Sequence, residues 1–337
     1  MKKGYRLLSL LLCALILLNM IPMSVWASEA KEKPHVAQRS SSYAEYDTLK
    51  EALEAVVISG ETYEIQSDES NPASNTITLT NDTTISGAIS LGNEWEITLD
   101  LNGYTLDCSG DDVFALSDTP SNTHIILKNG TLTNANNFMY TLPSECSLTI
   151  LDGTYTLSGS LVNELYGQLR VEDGTFTCGH SFVSDTYGSG EVLIQDGTFD
   201  ASEGRYGFDN IAGQVTIQNG TFLATDDLFY FTTDNYSHGT VLVEDGSFTS
   251  HGDLFFLKSG KNARLTVNGG TFTVQESEDY SSGNLLYLHS GAVAEINGGT
   301  FAMEQENTAI MVDESSVLNI NNGSFPPLVL YWTTTEP

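Results

Sequence analysis

Cations are scarce in this chain: 13 lysines and arginines stand against 44 aspartates and glutamates, a formal charge of −31. Nucleic acid and anionic lipid each require a cationic face on their partner, so both are excluded as the principal ligand. Cysteine is nearly as rare, with 4 in 337 residues. Cys13 falls in the amino-terminal apolar run, and Cys108, Cys146 and Cys178 form an odd set without CxxC spacing. That pattern excludes a disulfide framework and a zinc site, and reads as small buried apolar side chains. The six histidines (His35, His124, His180, His238, His251, His289) have no metal-ligand spacing either. The sequence has no phosphate loop, no nucleophile elbow, no LPxTG wall-sorting signal and no carboxy-terminal apolar anchor.

What is present begins with an export leader. Lys2, Lys3 and Arg6 precede an apolar run from Leu7 to Ile21, and Val25-Trp26-Ala27 offers a cleavage site before Ser28. Residues 1–27 therefore read as a signal peptide, and the mature chain as secreted, extracellular or held at a bacterial cell surface, with no membrane insertion after cleavage. Residues 28–45 are polar and read as a flexible lead-in. Residues 46–337 form the remaining domain, opening with an expected capping helix over 46–60. There Thr48-Leu49-Lys50-Glu51 matches a capping box, and Leu49, Ala52, Leu53 and Val56 share one stripe.

From Thr62 the apolar period falls to two, and a unit begins to repeat. Its type specimen is Val192-Leu193-Ile194-Gln195-Asp196-Gly197-Thr198-Phe199. The bend glycines are Gly103, Gly130, Gly153, Gly174, Gly197, Gly220, Gly246, Gly270, Gly299 and Gly323, at spacings of 27, 23, 21, 23, 23, 26, 24, 29 and 24. Aligned on that glycine, positions −5 (Leu169, Val192, Val215), −3 (Val171, Ile194, Ile217) and +2 (Phe176, Phe199, Phe222) stay apolar from unit to unit. A third apolar patch follows in each unit, such as Leu228-Phe229-Tyr230-Phe231 and Leu254-Phe255-Phe256-Leu257. A near-constant period whose insertions enter loops signals stacked units. The expected fold is all-β: a parallel solenoid of three strands per turn and about ten or more turns.

The Asp/Asn-Gly-Thr-Phe bends, the stacked aliphatic columns and the segment Ile97-Thr98-Leu99-Asp100-Leu101-Asn102-Gly103-Tyr104 resemble the right-handed parallel β-helix superfamily. That superfamily includes pectate lyases and adhesin-like surface proteins, and the resemblance covers about residues 46–325. It implies right-handed coiling; activity does not follow, because the fold hosts many functions.

Three groups of residues are candidates for chemistry. Asp152, Asp173 and Asp196 precede the bend glycine in successive turns. Stacked one rung apart, they are the alternative reading as a calcium site, against the ordinary one of Asx bends in which Asn does the same work. Arg170, Glu172 and Asp173 make the alternative catalytic set, since the pectate lyase resemblance implies a calcium-binding acidic cluster and a proton-abstracting arginine. The hydrolase constellation of that superfamily is incomplete: Gly179-His180 is followed by Ser181, and Arg-x-Lys is absent. Tyr140, Tyr166, Tyr187, Tyr206 and Tyr280 are expected binding residues, as aromatic surfaces on which sugar rings stack. The reading reached is a non-catalytic, adhesin-like module without a cofactor, binding extracellular carbohydrate or a surface protein. The alternative is a calcium-dependent polysaccharide lyase.

Overall fold

The computed structural model describes residues 57–58, 63–68, 71–116, 122–231, 239–258, 263–276, 283–304, 309–327 and 330–333. They form a parallel β-solenoid of about nine turns. Strands just before the bend glycine make a 12-stranded sheet, running from Tyr63–Asp68 through Gln168–Val171, Glu191–Ile194 and Gln214–Ile217 to Val317–Ile320. Strands just after it make an 11-stranded sheet that includes Thr175–Cys178, Thr198–Ala201 and Thr221–Ala224. The register is that of the repeat: Val192 pairs with Val215 and Ile194 with Ile217, and Phe199 pairs with Phe222.

Side chains alternate across a strand, so each −5, −3 and +2 position points inward and stacks on its equivalent one turn away. The aromatic column shows the result. Rings of Phe176, Phe199, Phe222, Phe248 and Phe272 lie 4.7–5.0 Å apart with interplanar angles of 4–12°. Tyr155 heads the column, fully buried, with its hydroxyl donating to the Asp152 carbonyl. Cys108, Cys146 and Cys178 are unpaired and buried, as small apolar residues.

The bend requires glycine for two reasons, seen at Gly197. Its φ is +129°, outside the range that side chains favour, and an added Cβ would lie 2.9 Å from the Gly174 carbonyl oxygen and 3.1 Å from Phe199. The preceding aspartate closes the corner, its carboxylate accepting the glycine N–H at 2.7 Å in Asp173-Gly174 and 2.8 Å in Asp196-Gly197.

The third face departs from the expected plan of three strands in each turn. It is carried by sheets of two, three and five strands. Between Thr198–Ala201 and Gln214–Ile217 the chain makes only isolated bridges, through Phe208 and Ile211. The turn count also falls below the expected ten or more. Most of the expected capping helix lies outside the described residues. Its last turn is a strand instead: Val57 and Ile58 pair antiparallel with Ser86 and Ile85. Two β-branched residues favour the sheet edge over a helical turn. Among the described residues there is no helix.

Candidate functional site

The third face is where the units differ most. Its three-stranded sheet consists of Met139–Leu142, Val162–Leu165 and Val183–Thr186. Its five-stranded sheet consists of Phe229–Phe231, Phe255–Leu257, Leu286–Leu288, Ile310–Asp313 and Leu330–Thr333. In the first, the outward residues are polar and acidic: Glu164 pairs in register with Asp185, accepts the Thr141 hydroxyl at 3.0 Å, and Asp185 accepts the Asn210 amide. In the second, the central residue of each three-residue strand, and Met311 in the four-residue strand Ile310–Asp313, points outward between two buried neighbours. That column reads Tyr230, Phe256, Tyr287 and Met311, in register and half-buried.

These aromatics form a ladder on the outside of the solenoid. Tyr206 stacks on Tyr230 at 4.7 Å, Tyr230 on Phe256 at 5.1 Å, and Phe256 on Tyr287 at 4.7 Å, with interplanar angles of 12–21°. The spacing is the strand separation itself. Tyr230 and Phe256 each have a stacked ring on both sides, so their faces are occupied and their edges point to solvent. At the Tyr206 end, the Arg205 guanidinium lies 4.9 Å from the Tyr206 ring centre and pairs with Asp226 at 3.3 Å.

One side of the ladder is bordered by the corner leading into this sheet, which carries a run of Asx side chains. The Asp112 carboxylate accepts Asn137 N at 3.1 Å, the Asn137 side-chain oxygen accepts Ser160 N at 2.8 Å, and Asp227 accepts Asp253 N at 2.6 Å. Asp253 in turn accepts both the backbone N and the side-chain amide of Asn284, at 2.6 and 2.8 Å. Each acid thus ties one turn to the next through an otherwise unpaired corner amide. The cost is electrostatic. Burial pushes the Asp253 carboxyl up to about 6, opposed by the Asn284 hydrogen bonds and reinforced by the Asp226 charge. Burial raises Asp227 as well, reinforced by the charges of Asp253 and Asp226. Asp226 is raised by burial against the pull of Arg205. The ladder phenols share this field: burial raises Tyr230 and Tyr287, followed by Asp209 and Asp227 for Tyr230, and Asp253 and Asp313 for Tyr287.

Of the five tyrosines singled out from the sequence, Tyr206 belongs to this ladder, almost wholly buried at 8% exposure. Tyr140 lies on the outer side of the three-stranded sheet, half-buried. Tyr166 and Tyr187 stack on each other at 4.2 Å and 1°, where the chain leaves that same sheet. Tyr280 lies outside the described residues. The sequence reading missed Tyr230, Phe256, Tyr287 and Met311 because each sits inside an apolar patch read as core. Splitting each patch by the two-residue period would have found them.

Of the remaining candidates, only Arg170 and Glu172 are brought together. Arg170 points out from the 12-stranded sheet, with Glu172 at 3.1 Å and the Gln195 side-chain oxygen at 3.2 Å. Asp173 and Asp196 are used by their own bends, and Asp152 accepts Asn129 N at 2.5 Å. Among the described residues no three His, Cys, Asp or Glu side chains gather closely enough to hold a metal. Compared with family models, curated proteins and solved structures, the chain matches none.

Proposed function

We propose that this chain is an exported, non-catalytic binding module of the bacterial cell surface or extracellular space, and that the aromatic half of its third face is the binding surface. The leader at residues 1–27 would deliver it. The ground plan is a right-handed, pectate lyase-like and adhesin-like β-helix with three strands per turn.

The observation that carries the reading is the outward ladder Tyr230, Phe256 and Tyr287. Three successive rungs hold large aromatics half in water, where a solenoid needs only polar, β-prone residues. Covering such area is worth about 25 cal/mol per Å² to a partner, and buried aromatics dominate binding energies. The ligand is an extracellular macromolecule, carbohydrate or protein, and no cofactor takes part. The lyase alternative would use Arg170 and Glu172, which pair on the 12-stranded sheet, away from the ladder.

The test compares wild type with Phe256→Ser on arrays of glycans and of extracellular proteins. Binding that depends on Phe256 supports the module. Release of unsaturated products from polygalacturonate with calcium, abolished by Arg170→Ala, would replace it with a lyase.

A further inference from the structure

We infer that the open end of the 12-stranded sheet docks a second copy of this chain, edge to edge, as a two-fold dimer. The contact uses a different sheet from the aromatic ladder and does not depend on the ladder's role.

Three observations lead there. The first is uncovered core. Leu318 and Ile320 occupy the inward columns, in register with Ala294 and Ile296, yet Ile320 is 43% exposed where Ile296 is 2%. Phe325 ends the ring column, stacked on Phe301 at 4.5 Å, with no second ring against it among the described residues. Val317, outward on the same strand, is 47% exposed, so this strand holds two of the three large hydrophobics exposed among the described residues. The second is open backbone. Among the described residues the strand Val317–Ile320 pairs only with Val293–Ile296. Val317 N and Asn321 N donate back to the Ala292 and Ile296 carbonyls. Alternation then points the N–H and C=O groups of Leu318 and Ile320 to the free side. The third is charge. Exposed strand edges are commonly guarded by charged side chains, but residues 315–327 contain none. The strand Tyr63–Asp68, at the other end of the same sheet, includes Glu64 and Asp68.

A second copy brings what this end lacks: an uncharged strand edge and three apolar columns cut at the same level. A two-fold axis at Asn319 sets Leu318 against Ile320 of the second copy, and each such pair exchanges two backbone hydrogen bonds. Opposed side chains share a face, so apolar meets apolar inside and the two Asn319 side chains meet outside. Neither copy carries a charge into the contact, so the overall −31 acts only from a distance, where salt screens it. A head-to-tail contact would instead bring in Glu64 and Asp68. The assembly therefore closes at two copies.

The experiment measures the mass in solution of the chain from Ser28 to Pro337 by sedimentation, over about 1–100 μM and at near-physiological salt. A monomer–dimer equilibrium is expected, with no larger species. Ile320→Lys and Asn319→Lys each bring two like charges together across the axis, and each should weaken the dimer by about tenfold or more. Asn319 is exposed, so its variant keeps the test open should Ile320→Lys fail to fold. Ile126→Lys changes the other exposed hydrophobic, on the same sheet but far from its end, and should leave the dimer unchanged. Asn319→Cys should link two copies by a disulfide on mild oxidation, because opposed residues of a non-hydrogen-bonded pair stand about 4.5 Å apart at Cα. Ile126→Cys should not. A chain that is monomeric at the highest concentration, or a dimer indifferent to both end lysines, would overturn the inference. So would a mass that grows beyond two copies, or a dimer that Asn319→Cys cannot link.

Discussion

Asp253 to asparagine should stabilise this protein at neutral pH, although it removes a charge from a hydrogen-bonded acid. Asp253 is 7% exposed, and its accepting oxygen already serves Asn284 N and the Asn284 amide at 2.6 and 2.8 Å. An asparagine carbonyl can accept the same two bonds, so the inter-turn tie survives. What disappears is the cost of a buried carboxylate. A carboxyl raised to about 6 in the fold, against about 3.9 in the unfolded chain, binds more protons when native. The native state is then favoured at low pH and penalised as pH rises. The penalty begins near the unfolded value of about 4 and is complete above about 6. Its full size is on the order of 2–3 kcal/mol. The variant should also ease Asp227, whose carboxyl is raised partly by the Asp253 charge. The assay is urea denaturation of wild type and variant from about pH 5 to pH 8, reading the midpoint difference. The difference is essential because 44 acids make the whole chain pH-sensitive. The gain should be about half-size near pH 5 and level off above pH 6 to 7. A variant that is less stable than wild type at pH 7.5, or a gain that shrinks as pH rises, refutes the reasoning.

Phe222→Ala should cost about 3–5 kcal/mol in the same assay, since Phe222 is fully buried between Phe199 at 4.7 Å and Phe248 at 5.0 Å; a loss under about 1 kcal/mol would mean the column is not packed as described. Gly197→Ala forces a φ of +129° and a 2.9 Å approach to the Gly174 carbonyl. It should destabilise by about 1–3 kcal/mol, whereas Gly188→Ala, with open space around its Cβ, should stay within about 0.5 kcal/mol. In a spectroscopic alkaline titration, Tyr155, Tyr206, Tyr230 and Tyr287 should ionise late, because burial raises each. Phenols that all titrate together near the ordinary value would show that the ladder is open to water.

The solenoid was legible because its physics repeats. A residue at −3 or +2 must be apolar wherever a turn stacks on a turn, so Ile194 and Phe199 could be placed from their sisters alone. The third face was less legible for a matching reason. In its aromatic half the outward positions carry apolar or aromatic residues, so alternation does not show, and Phe229-Tyr230-Phe231 looks uniformly apolar. The interruption at Phe208 and Ile211 was hidden too. Ser202-Glu203-Gly204-Arg205-Tyr206-Gly207 leaves the spacing of the flanking bends at 23, so no extra length betrayed the missing strand. The expected helix misled at its end because Val57 and Ile58 had been placed by the capping box upstream, not by their own β-branching.

Core and outward ladder occupy the same strands yet can vary independently. In Phe229-Tyr230-Phe231 the outer two residues are buried, each pairing with its counterpart in the next turn. Tyr230 faces out and carries little of that packing. Exchanging it, or Phe256 or Tyr287, alters the surface by one rung, while the inward column is held by its own stacks, as in Phe229 on Phe255 at 5.1 Å. The corner acids behave oppositely. Asp227 and Asp253 join consecutive turns and also set the charge beside the ladder, so replacing them changes stability and surface charge together. Change on the outward rungs should therefore leave the core intact, and a chain with Tyr230, Phe256 and Tyr287 all changed to serine should keep its melting temperature within a few degrees. A loss of cooperative melting in that triple variant would show instead that the ladder is a structural brace.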